Sequence, residues 1–216
     1  MELPGLGSRP IKSVLCLGAH ADDIEIGAGA TLLKLLSELD GVEVHWVVLS
    51  ADERRETEAR ASAEAFLKEA GGAQVSFGGF QESYFPYIGR DMKEYFDRLG
   101  SSVNPDIIFT HTRDDKHQDH RLVCELTWNT WRDRLILEYE IPKYDGDLGQ
   151  PNFFVAIGDD LRERKVETLM SAFVSQTEKY WFTTDTFNGL MRLRGVESRS
   201  PTGYAEAFYV RKFLVE

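Results

Sequence analysis

Two short segments carry most of the side chains able to do chemistry. His20-Ala21-Asp22-Asp23 and His117-Gln118-Asp119-His120 hold three of the five histidines and three carboxylates. In each, a pair spaced i, i+3 (His20 with Asp23, His117 with His120) can present two ligands from one helical turn or tight loop. A His, Asp and His set that leaves one position open is the usual arrangement of a hydrolytic zinc centre. Structural zinc favours four ligands rich in cysteine, and the chain has only Cys16 and Cys124. A metal here is therefore expected to be catalytic, with water in the fourth place. Asp22, beside a ligand, is suited to take a proton from that water, whose pKa a metal lowers to roughly 7. His117, one turn before His120, is suited to act as a cation that stabilises a tetrahedral oxyanion and protonates a leaving nitrogen. Asp119 or Asp114 could hold an imidazole in its working tautomer. Singly, each residue has a plainer reading, as a hydrogen-bonded loop histidine or a helix-capping Asp pair. Two such segments brought to one edge favour the metal.

That meeting depends on the elements around them. SVLCLGA (13–19) is a short apolar run that predicts a buried strand. After it, Ala30, Leu32, Leu33, Leu36 and Leu39 recur at helical spacing until Asp40-Gly41 ends them. The pattern repeats: strands over 42–50, 74–77, 106–111 and 135–141 alternate with helices over 54–70, 91–102 and 120–133. Such alternation predicts right-handed crossovers and a parallel sheet covered on both faces, an α/β Rossmann-like three-layer sandwich. Beyond 141 the spacing predicts a strand over 152–158, a helix over 161–176 and a closing strand over 204–215, with loops around 78–90, 142–152 and 176–203. Both segments follow strands, where an open α/β sheet binds its ligands.

Composition bounds the rest. The chain has 216 residues, 42% of them hydrophobic and 28% charged, which suits one domain with a full core and excludes a disordered chain. A net charge of −11 excludes nucleic acid as the main partner, because phosphate binding needs a basic surface. Charge interrupts every apolar stretch well short of the roughly 20 residues that cross a bilayer, so no membrane span is expected. Residues 1–12 read as an irregular lead-in without the pattern of a secretory signal, and two cysteines make no disulfide framework. A cytoplasmic location is expected.

The two segments also resemble a known family. His20-Ala21-Asp22-Asp23, followed by Ile24-Glu25-Ile26-Gly27-Ala28-Gly29-Ala30-Thr31, is similar to the His-Pro-Asp-Asp signature of the PIG-L/LmbE-like zinc de-N-acetylases. His117-Gln118-Asp119-His120 is similar to that family's His-Pro-Asp-His signature, and Tyr204-Ala205-Glu206-Ala207-Phe208 resembles a segment of its bacillithiol-pathway and sugar-deacetylase branch. The resemblance implies that His20, Asp23 and His120 bind Zn2+, or another divalent metal such as Fe2+. It implies Asp22 as general base and His117 as electrostatic partner or general acid. It further implies Arg55 as a substrate contact, with Glu58 as its structural partner, an N-acetylated amino sugar or conjugate as substrate, and a homo-oligomer, trimer or hexamer. Ala21 and Gln118 replace the family's prolines, and Asp115 stands where some thiol-pathway members have an oxyanion-binding Tyr.

The expected activity is thus removal of an N-acetyl group from an N-acetylglucosamine-type compound. The alternatives are a zinc amidase or esterase acting on a non-sugar substrate, a non-catalytic binding protein of the same fold, and a nucleotide-binding Rossmann enzyme. Leu32 breaks the G-x-G-x-x-G pattern after Gly27 and Gly29, which argues against a dinucleotide. Arg192, Arg194 and Arg199 form a basic patch that a substrate phosphate could meet. His45, Trp128, Trp131 and Trp181 have structural explanations, and Cys16 and Cys124 are expected to be buried.

Overall fold

The computed structural model describes residues 11–213, so all but the last two residues of the expected lead-in lie outside the described residues. In chain order the elements are β1 (Ser13–His20), α1 (Asp23–Glu38), β2 (Glu43–Ser50), α2 (Glu53–Phe66), β3 (Gly72–Phe77), α3 (Gly89–Ser102), β4 (Ile107–His111), α4 (Gln118–Thr130), β5 (Leu135–Tyr139), β6 (Phe153–Ala156), α5 (Asp159–Ala172), α6 (Thr184–Glu197) and β7 (Ala205–Tyr209). One sheet of seven strands runs β3-β2-β1-β4-β5-β7-β6. Strands β1 to β5 are mutually parallel, and β7 runs antiparallel to both β5 and β6. Alternate residues of β1 enter different cores. Val14 and Cys16 pack with α1, α2, α5 and α6 on one face, and Leu15 and Leu17 with α3 and α4 on the other. The result is a mostly parallel α/β sandwich of three layers.

Strand order reverses direction at β1, whose neighbours are β2 and β4. The β1–β4 ladder stops at Cys16↔Phe109 while β1 continues to His20, so the carboxyl ends part and open a crevice between them. Such a switch point is where loops from both sides can converge on a ligand. Helix α1 leaves this crevice across β5, and a Cβ at Gly27 would overlap the Tyr139 ring. Only glycine lets the helix that carries Asp23 lie so close to the sheet.

The largest departure from the sequence reading is α6, which occupies part of the expected 176–203 loop. Its buried positions are Phe187, Met191, Arg194 and Gly195. A charge at the third of them hides the helical period, yet Arg194 is buried because its guanidinium meets Glu140 at 2.7 Å and 2.9 Å. The basic patch expected of Arg192, Arg194 and Arg199 is therefore not formed. Arg194 faces inward, and Arg192 lies over the Tyr204 ring and donates to the Gly203 carbonyl. The helix expected over 161–176 ends at Ala172 and gives way to a 3₁₀ turn at Val174–Gln176. The strand expected over 204–215 is confined to 205–209, and the three final residues of the chain lie outside the described residues. Cys16 and Cys124 are buried and free. Among the described residues no helix is long and apolar enough to cross a membrane.

Candidate metal centre

His20 is the last residue of β1, and Asp22 begins α1 in a left-handed conformation, φ 96°. This is a strained conformation for a residue other than glycine, though Asp and Asn tolerate it best. Asp22 stands at the N-cap position, but its buried side chain makes no capping bond and its Oδ1 meets the Arg55 guanidinium. Asp23 instead accepts the His20 backbone N–H at 2.7 Å and so fixes the turn. On the other side of the crevice, α4 starts at Gln118, two residues earlier than its hydrophobic period suggests. That puts His117 at the N-cap and His120 in the first turn.

Three atoms from these segments meet. His20 Nδ1 lies 3.1 Å from His120 Nε2 and 3.4 Å from Asp23 Oδ2, and His120 Nε2 lies 3.5 Å from Asp23 Oδ2. The outer nitrogens of both rings are committed to carboxylates: His20 Nε2 to Asp119 at 3.1 Å and His120 Nδ1 to Asp115 at 2.9 Å. Each outer nitrogen must carry the proton it donates, so in neutral rings the inner nitrogens are lone pairs. Two lone pairs and a carboxylate oxygen then converge on one point, which calls for a cation. Donors about 2.0–2.1 Å from a tetrahedral zinc sit about 3.3–3.4 Å apart, close to the spacing found here. The residues therefore fit a divalent metal.

The electrostatics have the same cause. Burial alone would lower His20, but Asp119 and Asp23 outweigh it and push it up to about 10. Burial depresses His120, with the neighbouring His111 adding to the effect, to about 4. Asp23 is held well below the usual carboxylate range, because His120 and His111 overcome the cost of its burial. Burial raises Asp22 against the pull of Arg55, up to about 7.

Arg55, read as a substrate contact, places Nη2 2.9 Å from Asp22 Oδ1 and also on the Ala21 carbonyl. Glu58 is not its partner: it accepts the backbone and hydroxyl of Ser175 and lies 3.7 Å from Arg54. Arg55 turns inward over the start of α1, out of reach of the next turn of its own helix. His117 Nδ1 accepts the Asp119 backbone N–H at 3.3 Å, which leaves the proton of a neutral ring on Nε2. Burial and the neighbouring His20 lower His117 below its ordinary value, so the neutral ring is favoured. Asp119 also accepts the N–H groups of Ser83 and Phe85 at 2.5 Å and 3.1 Å, which ties the 78–90 segment to the site. Asp114 is exposed, and the carboxylate that orients His120 is Asp115.

Sequence reasoning missed two participants. His111, the last residue of β4, stacks on His120 with ring centroids 3.9 Å apart, and its Nε2 lies 3.3 Å from Asp23. That nitrogen accepts the Ala19 N–H at 3.0 Å, so its lone pair is already engaged. His111, Asp23 and His120 form one compact group, and His20, His117 and His120 another. Its place at a strand's carboxyl end was the available signal. Asp115 has only its sequence distance from His120, which by itself says nothing about direction.

Glu25 lies beneath this site, 1% exposed, and neither of its oxygens has a hydrogen bond of normal geometry, although Ser62 is near enough to temper the effect of burial. Burial pushes it up to about 8. A carboxyl raised in the folded state binds its proton more tightly there. Its stabilising contribution is complete below the unfolded value of about 4.3 and is lost as pH rises through 8. Metal-free protein should therefore lose about 1.4 kcal/mol per pH unit between about pH 5 and 8 relative to Glu25→Gln. Urea unfolding of both forms across that range measures it, and parallel curves would show that Glu25 titrates normally.

Solved structures of the same fold include N,N'-diacetylchitobiose deacetylase from Pyrococcus horikoshii, with 22% identity and TM-score 0.68 over 93% of this chain and 84% of that one. GalB, the 4-carboxy-2-hydroxymuconate hydratase from Pseudomonas putida, has 19% identity and TM-score 0.77 over 95% and 98%. The zinc-inhibited form of teicoplanin deacetylase Orf2 has 15% identity and TM-score 0.70 over 92% and 97%. At such identities the likeness shows the fold. No curated protein matches the chain in sequence. The family described as PIG-L, GlcNAc-PI de-N-acetylase, matches residues 15–131, which span both His-Asp segments. That match covers more than half of the chain, which therefore belongs to the PIG-L family.

Proposed function

We propose that the chain is a zinc-dependent hydrolase that removes the N-acetyl group from an N-acetylglucosamine-type sugar or sugar conjugate. The observation that carries this reading is the convergence of His20 Nδ1, His120 Nε2 and Asp23 Oδ2, with both outer ring nitrogens engaged, next to an Asp22 carboxylate held by Arg55. His20, Asp23 and His120 would hold the ion, which when bound supplies a Lewis acid that makes water nucleophilic near neutral pH and polarises the acetyl carbonyl. Asp22 accepts the proton released as water attacks, and its raised affinity near pH 7 suits that task. Arg55 keeps the carboxylate aimed and offsets the charge of Asp23 beside it. His117 donates its Nε2–H to the carbonyl oxygen as that oxygen becomes an anion, in the neutral form that its surroundings favour. The proton collected by Asp22 is the one the departing amine needs. Membership in the PIG-L family and fold neighbours that are deacetylases support the sugar-amide substrate.

Among the fold neighbours is a hydratase, so the scaffold alone does not choose the reaction. A panel of N-acetyl amino sugars, other acetamides and acetate esters, assayed for free amine or acetate on chelated and then zinc-restored protein, tests the reading. Amine should be released from N-acetylglucosaminides only after zinc is restored. A higher kcat/KM on non-sugar amides or esters would favour the alternative substrate class. Undiminished turnover after chelation would remove the metal from the reaction.

A further inference from the structure

We propose that Lys143 is a positioning residue of the metal centre, acting through Asp115 on His120 from a segment that follows β5 and lies outside both His-Asp motifs. The inference rests on the metal-dependent reading above. Asp115 is 1% exposed and organises the second motif with both oxygens. Oδ2 takes His120 Nδ1 at 2.9 Å, and Oδ1 takes the His117 backbone N–H at 2.8 Å. The ammonium of Lys143 reaches that same Oδ1 at 3.0 Å. Lys143 is itself held, 2.5 Å from Asp147 Oδ2 and 3.5 Å from the Ile141 carbonyl. Asp147 in turn accepts the Lys116 backbone N–H at 2.7 Å, which returns the chain of contacts to the motif.

The segment is also clamped at its ends. Gly149 donates its N–H to Glu140 at 3.3 Å, and its carbonyl accepts from Arg194 at 3.0 Å. Lys143 is therefore delivered to Asp115 by a pinned loop. An anion buried this deeply, with one oxygen orienting an imidazole, needs its other oxygen fixed if the ring is to stay aimed. The Lys143 ammonium is the cation that Asp115 touches there. The sequence marks this stretch only as a loop, whereas its contacts reach Asp115 and Lys116 beside the second motif.

The test is zinc affinity, read by chelator competition on Lys143→Met, Lys143→Gln and Lys143→Arg, together with the visible spectrum of the cobalt-loaded forms and far-UV circular dichroism. Removing the outer partner of a metal ligand, here Asp115, typically costs about 10–100-fold in metal affinity; Lys143 acts one contact further out, so the Met and Gln variants should lose about 5–10-fold, with a shifted cobalt band and an unchanged fold. Lys143→Arg should recover affinity to within about threefold of the parent, because the charge and a donor remain. Met and Gln variants that fold and bind zinc within about twofold of the parent overturn the proposal, as does an Arg variant impaired as much as Met. A parent chain that binds no zinc overturns the functional reading and this inference together.

Discussion

Replacing Asp22 with Asn should lower kcat/KM on the best N-acetyl substrate by about 10²–10⁴-fold, the usual contribution of a positioned general base. Asn is the informative choice because the backbone at 22 has φ 96°, which Asn tolerates and Ala does not. The variant should keep its zinc, since the converging atoms belong to His20, Asp23 and His120. Asp22 must be ionised to accept a proton. The wild-type rate should therefore fall as pH drops through its pKa, about 7 without metal and lower beside a bound cation, and this limb should vanish from the residual activity of Asp22→Asn. A variant with near-normal rate and an unchanged acid limb would exclude Asp22 as the base. Loss of zinc along with the rate would instead make it part of the binding site.

The second large effect concerns stability. Glu206→Ala should destabilise the metal-free protein by about 3–5 kcal/mol in urea unfolding, the cost of stripping one partner from a buried pair. Lys165 Nζ sits 2.6 Å from Glu206 Oε1 and 2.6 Å from the Ile26 carbonyl, with both side chains about 3% exposed. Glu206 also accepts the backbone N–H groups of Ala30 and Thr31, inside α1, at 2.9 Å and 2.6 Å. Removing Glu206 leaves an ammonium and two helical donors buried together. The double variant Lys165→Met with Glu206→Leu should recover most of the loss by removing the stranded charge. A single variant within about 1 kcal/mol of wild type would mean that water reaches the pair. The pair joins α5 and β7 to the helix that starts with Asp23, so the Tyr204–Phe208 segment noted in the sequence serves the site as an anchor of α1.

Much of this was legible in the chain. The i, i+3 spacing of His20 with Asp23 and of His117 with His120 depends only on local turn geometry, and strand–helix alternation sends the ends of β1 and β4 to one edge. The ring nitrogens of His20 and His120 then meet across 100 residues of sequence because β1 and β4 lie side by side and parallel in the sheet. Helix α6 was not legible, since its core-facing stripe contains Arg194 and a periodicity argument counts a buried arginine as solvent-facing.

By itself the sequence determined the layered α/β sheet, the two His-Asp segments and the chemistry open to them. Tertiary structure decided which carboxylate serves each imidazole: Asp115 rather than Asp114 on His120, Asp119 on His20, and Lys143 behind Asp115. It also turned Arg55 onto Asp22 and brought His111 against His120. The physical reason is that spacing along a chain constrains which residues share a turn, while side-chain direction depends on where α4 begins and on how the segments after β3 and β5 fold back over the crevice.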